Sequence, residues 1–213
     1  MALSAILCVL APAAVRADIV ITATDVTIGP GDVGTMDFSI TSTTSDTLSA
    51  FGLELLITPA STATSILQFT TTQPDPYNDP NYVFAGQSFG GDNGVPFWSG
   101  PSGNPFTTIL AGDFSDSSTG YVSIAAAGSY LGSVEFQAAP GASLRDSFQI
   151  SLVNDPNFTY FDDQNGNPLN YSLNGGTVTV GDTAVPEPSS LALAALPAIC
   201  GLLLYTRRRA TCL

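Results

Sequence analysis

The chain of 213 residues carries eighteen acids and five arginines, with no lysine and no histidine, for a formal net charge of −13. Seventeen of the acids but a single base, Arg145, fall between Asp18 and Asp182, so this stretch holds about sixteen net negative charges; it repels nucleic acid and anionic lipid, and it favours divalent cations and neutral polymers as partners. The cysteines (Cys8, Cys200 and Cys212) also lie outside it, which excludes disulfides, thiolate or imidazole zinc sites, and Ser-His-Asp, Cys-His or Ser-Lys nucleophile systems there. Paired carboxylates remain formally open, but the acids are scattered through turns, and no enzyme is expected.

Residues 1–17 read as a signal peptide. An apolar segment over residues 2–15 has signal-peptide length, and Val15-Arg16-Ala17 sets small residues before a cleavage point between Ala17 and Asp18. Ala11-Pro12-Ala13 is a competing cleavage site, and a buried first helix is the structural alternative. No positive charge precedes the apolar run, which suggests a start of translation upstream of Met1. Ile6-Leu7 before Cys8 departs from the small-residue pattern of a lipoprotein signal.

The next segment, residues 18–183, is of single-domain length and alternates apolar and polar residues with period two. Ile19, Ile21 and Ala23 share one face of a first strand, and Gly29-Pro30-Gly31-Asp32 marks the turn after it. Met36, Phe38 and Ile40 form the next face, followed by Phe51, Leu53, Leu55 and Ile57, ended by Pro59. Further runs cover 66–69, 107–111, 121–125, 130–138, 148–153 and 177–180. About nine short strands without a sustained helical period predict an all-β fold, an antiparallel β-sandwich of jelly-roll or immunoglobulin-like type.

Two stretches between the strands draw functional readings. Residues 70–106 are rich in Pro, Asn, Asp and Gly and hold Phe97 and the single tryptophan, Trp98, a possible ligand loop whose rings would stack on sugars. The alternative folds Phe97, Trp98 and Phe106 back as a lid on one end of the sandwich. Asp162-Asp163-Gln164-Asn165-Gly166-Asn167 concentrates oxygen ligands suited to calcium, with Asp162, Asp163 and Asn165 as the expected ligands, although the spacing fails the EF-hand loop and a hairpin turn explains the same residues. No other cofactor is expected.

The chain closes on Pro186, Glu187 and Pro188 within a linker at 184–190, an uncharged apolar helix over 191–206, and a basic end at 207–213 opened by Arg207, Arg208 and Arg209. Fifteen apolar residues (191–205) rise roughly 22 Å against a hydrocarbon core of about 30 Å, so the span is short, and Pro197 kinks it. The arginines fit retention on the cytoplasmic side, leaving the preceding domain outside. The ordered triplet, helix and basic cluster resemble the PEP-CTERM sorting tail of Gram-negative and related bacteria. That resemblance implies processing by an exosortase, a membrane-embedded transpeptidase-like enzyme, in bacteria that make extracellular polysaccharide.

Within the exported domain, Ala50-Phe51-Gly52-Leu53-Glu54-Leu55-Leu56-Ile57, Gly132-Ser133-Val134-Glu135-Phe136 and the closing Asn174-Gly175-Gly176-Thr177-Val178-Thr179-Val180 resemble strands of cohesin-like and carbohydrate-binding sandwich modules. The sequence therefore suggests a noncatalytic exported surface or matrix protein, released from an inner-membrane intermediate into the envelope, surface or extracellular matrix and associated with exopolysaccharide. Its processing partners would be signal peptidase and exosortase. The alternative is a carbohydrate- or protein-binding adhesion module, calcium-stabilised at one edge.

Overall fold

The computed structural model describes residues 19–60 and 62–182. The signal segment with Ala17 and Asp18, the Pro186-Glu187-Pro188 triplet, the 191–206 helix and Arg207, Arg208 and Arg209 lie outside the described residues. Contacts divide the chain into Met1–Gly181 and Asp182–Leu213, and every element below belongs to the first unit. No helix among the described residues is long and apolar enough to cross a membrane.

Among the described residues, thirteen strands and one short helix follow one another. They are β1 (Ile19–Ala23), β2 (Val26–Ile28), β3 (Val33–Ser42), β4 (Thr47–Leu48), β5 (Ala50–Pro59), β6 (Leu67–Phe69), α1 (Phe89–Asn93), β7 (Thr108–Phe114), β8 (Val122–Ser123), β9 (Ser129–Ala138), β10 (Ser147–Leu152), β11 (Tyr160–Asp162), β12 (Tyr171–Asn174) and β13 (Gly176–Val180). A first sheet runs β12-β1-β3-β9-β6, a second runs β11-β5-β10-β13-β2 with β7 also paired to β5, and β4 with β8 forms a small ribbon.

Period-two patterning decides which face each strand buries. Ile19 and Ile21, then Met36, Phe38 and Ile40, turn inward from the first sheet; Phe51, Leu53, Leu55 and Ile57 meet them from the second, with Phe148, Ile150, Val178 and Val180 alongside. These side chains fill one core between the two sheets. The register of β3 against β9 slips between Phe38 and Ser39, opposite Gly132 and Tyr130, so Leu131 becomes the extra residue of a bulge and also points inward.

The expectation of a purely antiparallel sandwich is corrected in one respect. β1 pairs β12 in parallel, and β13 pairs β2 in parallel. The cause is a double crossover: β1 leads into β2, and β12 leads into β13, each chain leaving the first sheet for the second, so the two segments run side by side in one direction. Because β13 pairs β10 only from Ser147 to Ile150, Leu152 has left that ladder, and β12 ends the first sheet as an edge strand. A gap between the sheets remains at this place.

Candidate partner-binding face

Residues on the outer face of the second sheet are set by the same alternation that builds the core. Ala50, Gly52, Glu54, Leu56 and Thr58 of β5 point away from the core, and the register puts Phe114 beside Ala50, Gly112 beside Gly52, and Leu110 beside Glu54. On the other side of β5, Tyr160 of β11 stands across from Gly52 and Asp162 across from Ala50. Two glycines in one row leave a depression, and the Tyr160 ring lies in it. A methyl group at Gly52 would come within 2.5 Å of Tyr160 Cε1 and 2.6 Å of the Phe158 carbonyl oxygen.

Aromatic rings border this depression on both sides. Phe114 is 45% exposed and stacks on Phe89 of α1 with centroids 4.2 Å apart, while Phe158 is 46% and Tyr160 37% exposed. Leu110 and Leu56 are half-buried farther along the same face of β7 and β5. Acids stand at the margin: Asp162 beside Ala50, Asp92 in the first turn of α1, and Asp116. Burial, with help from Asp162, pushes the Tyr160 hydroxyl up, so it remains protonated and acts as a neutral donor. The Asp162 carboxyl is also held above its ordinary range, first by burial and then by Asp163. An aromatic and apolar face that also carries Glu54 and is flanked by further acids suits a partner surface that combines apolar side chains with bases.

A buried carboxylate fixes the helix that carries Phe89. Asp113 of β7 is 6% exposed and accepts from Tyr82 Oη at 2.7 Å, Ser88 Oγ at 2.6 Å and the Gly90 amide at 3.0 Å. Ser88 also caps α1, its hydroxyl oxygen accepting from the Gly91 amide at 2.8 Å, and Gly94 ends the helix with φ of 65°. Burial, followed by the charge of Asp113, drives the Tyr82 hydroxyl far above its usual range, so this donor stays protonated.

The structure separates the residues singled out from sequence. Phe97 and Trp98 are folded inward at 2% and 5% exposure, so their faces are not presented to a sugar; Phe106 stays outside at 37%. Phe97 sits in an aromatic cluster with Phe51, Tyr77, Tyr82 and Trp98, at centroid distances of 5.1–6.0 Å. Its ring fits against Gly132, where a side chain would come within 2.9 Å and where φ of 155° favours glycine. Trp98 Nε1 donates to the Pro74 carbonyl at 3.1 Å, and Asp75 Oδ1 accepts the Phe97 amide at 3.0 Å. Phe97 and Trp98 thus close the core instead of offering their rings.

Asp162, Asp163 and Asn165 are neighbours in the chain, but their hydrogen bonding is that of a turn. Asp163 Oδ1 accepts the Asn165 amide at 2.7 Å and the Asn167 amide at 2.8 Å, and its Oδ2 accepts from Asn167 Nδ2 at 3.2 Å. The bond from the Asn167 amide is the main reason that the Asp163 carboxyl titrates below its ordinary range. Among the described residues, no group of three or more His, Cys, Asp or Glu side chains converges as a metal site.

Sequence reasoning did not single out Tyr160, Phe158 or Phe114 as site residues. Tyr160 belongs to a strand of three residues, too short to show a period, and Phe114 follows the end of a run read as 107–111. The available signal was glycine at Gly52 within an otherwise apolar strand, which marks a close approach by another group.

No family model matches the chain, and no curated protein matches it significantly. Solved structures do. The sixth cohesin of scaffoldin B from Acetivibrio cellulolyticus, solved with a mutant Cel5 dockerin, is similar with a TM-score of 0.51 and 13% identity, over 76% of this chain and 98% of that one. The seventh ScaB type I cohesin from Pseudobacteroides cellulosolvens is similar with a TM-score of 0.50 and 13% identity, over 79% and 96%. What these likenesses establish is the fold, a cohesin-like β-sandwich.

Proposed function

We propose that this chain is a noncatalytic, exported adhesion module that holds a protein partner against the outer face of β5, β7 and β11. The observation that carries the reading is the aromatic margin of exposed Phe114, Phe158 and Tyr160, with half-buried Phe89 stacked on Phe114, around the Gly52 and Gly112 depression. Scattered exposed apolar residues are ordinary, whereas a contiguous set on one sheet face marks an interaction surface. The Acetivibrio cellulolyticus neighbour was solved with a dockerin, which supports a protein as the type of partner. Delivery follows from the two ends of the sequence: a signal peptide cut between Ala17 and Asp18, and a sorting tail of Pro186-Glu187-Pro188, helix and arginines that passes to an exosortase and leaves the sandwich in extracellular polysaccharide.

A photo-crosslinking residue placed at Phe114 in the producing cell, with a second at Thr35 on the opposite sheet as control, identifies the partner by mass spectrometry. Binding of the purified pair is expected to weaken at least tenfold in a Phe114→Ala, Tyr160→Ala variant whose melting is unchanged. Equal affinity in that variant removes the face from consideration. For delivery, wild type and a Glu187→Ala, Pro188→Ala variant are fractionated and their C-termini sequenced. If both stay uncut in the inner membrane of a strain with active exosortase, the tail is a plain anchor.

A further inference from the structure

The gap left by the double crossover opens beside β12, and only its far end adjoins the aromatic face, at Tyr160 and Asp162. Leu152, Val153 and Asn154 form one wall, and Leu169, Asn170, Tyr171 and Leu173 the other, around a volume of about 500 Å³. It continues through Asn154, Leu169 and Tyr171 into a second hollow of about 540 Å³ that Asp162 and Tyr160 also line. Both walls are ends of ladders. In the parallel pair, the Ile19 amide donates to Asn170 O, so residues 170, 172 and 174 face β1, and the N–H and C=O groups of Tyr171 and Leu173 turn the other way. Across the gap, Phe148 and Ile150 pair with Val178 and Gly176, and the same alternation turns the backbone groups of Leu152 outward beyond Gly176, the first residue of β13.

We propose that this gap accepts an extended segment of another protein, which adds a strand along β12 and places alternate apolar side chains between Leu152, Leu169 and Leu173. Backbone donors and acceptors along an edge, beside a hollow lined with leucine, are what strand addition requires: main-chain bonds give affinity and the hollow selects side chains. Charge selects the occupant. Asp162 stands in the adjoining hollow with Asp163 next in the chain, and burial together with Asp163 already raises the Asp162 carboxyl, so a lysine or arginine at that end of the segment relieves an unfavourable negative charge. A second copy of this domain does not supply it. Arg145, the one base among the described residues, bonds through its amide to Val180, at the end of β13 far from the gap.

The test uses the exported domain carrying its tail, in detergent, and a pooled library of seven-residue peptides. Three alternate positions are Val, Ile or Leu, and the others Thr, Asp or Lys. Selected peptides are expected to keep a lysine at one end, to protect the Tyr171 and Leu173 amides from hydrogen exchange, and to lose at least tenfold in affinity when alternate peptide amides are N-methylated. Leu173→Glu is expected to abolish binding, and Asp162→Asn to remove the preference for lysine while leaving the fold intact. Phe114→Ala is expected to change neither, which keeps this site distinct from the aromatic face. The proposal is overturned by no enrichment of alternating peptides, by affinity indifferent to N-methylation, by a dimer in sedimentation that Leu173→Glu dissolves, or by neutral oligosaccharides protecting the same amides where peptides do not.

Discussion

Asp113 ties a long segment to the sheet. Its carboxylate takes three donors from residues 82–90, and it does so in the interior. Deleting it leaves the Tyr82 hydroxyl, the Ser88 hydroxyl and the Gly90 amide without an acceptor, and each stranded buried donor costs about 1–3 kcal/mol. Asp113→Ala is therefore expected to lower unfolding stability by about 3–5 kcal/mol in urea melts followed by Trp98 fluorescence, and Asp113→Asn, which keeps one acceptor oxygen, by less. A loss under about 1 kcal/mol in the alanine variant contradicts this account. Asp163 works on a smaller scale, closing its turn through two backbone amides. Asp163→Ala is expected to lower the melting temperature slightly, with that of the wild type unmoved by millimolar calcium. A calcium-dependent rise that disappears in the variant returns the ion to this loop.

Strand β11 owes its place to a residue on its neighbour. Since Tyr160 and the Phe158 carbonyl occupy the space above Gly52, Gly52→Ala must push the short strand away from β5, and the carbonyl yields less readily than a side chain would. The expected result is a loss of about 1–3 kcal/mol together with faster hydrogen exchange at Tyr160 and Asp162, confined to that end of the sheet. Exchange spread evenly over both sheets contradicts it. This strand also marks where sequence reading stopped. The long strands were legible because Met36, Phe38 and Ile40, or Phe51 through Ile57, alternate over enough residues to show a period. Strands β2, β4, β11 and β12 have two to four residues, and Tyr171, Ser172 and Leu173 are all half-buried at an edge, so nothing in them alternates. Parallel pairing was not legible either, because it arises from two crossovers far apart in the chain, not from any local pattern. Similarly, Phe97 and Trp98 carry no mark of burial; their place depends on Gly132, a bulge residue more than thirty positions away.

Sixteen acids and one arginine between Ile19 and Asp182 make the whole domain repel itself at neutral pH. Three carboxylates then decide how acid acts on it. Asp146 accepts the Ser65 hydroxyl and the Ser65 and Thr64 amides, and the Ser65 hydroxyl is the main reason it titrates below 3.8. Asp163 is likewise lowered by its turn. Stabilisation from these two is complete above their unfolded value near 3.8 and is lost as pH falls through the lower folded values. Asp162 has the opposite sign: its raised carboxyl weakens the fold while charged, and that cost is relieved as pH falls through the folded value. General repulsion is relieved over the same range. Thermal melting is therefore expected to rise from pH 7 to a maximum at roughly pH 4–5 and to drop below it. Raising salt from about 20 to about 300 mM is expected to increase the melting temperature at pH 7 and to do little near the maximum, where fewer charges remain to be screened. Asp146→Asn should flatten the fall on the acid side, because the group whose protonation drives it is absent. A melting temperature that declines steadily from pH 7 downward, unaffected by salt, contradicts this balance and gives the paired carboxylates more weight than the repulsion among the rest.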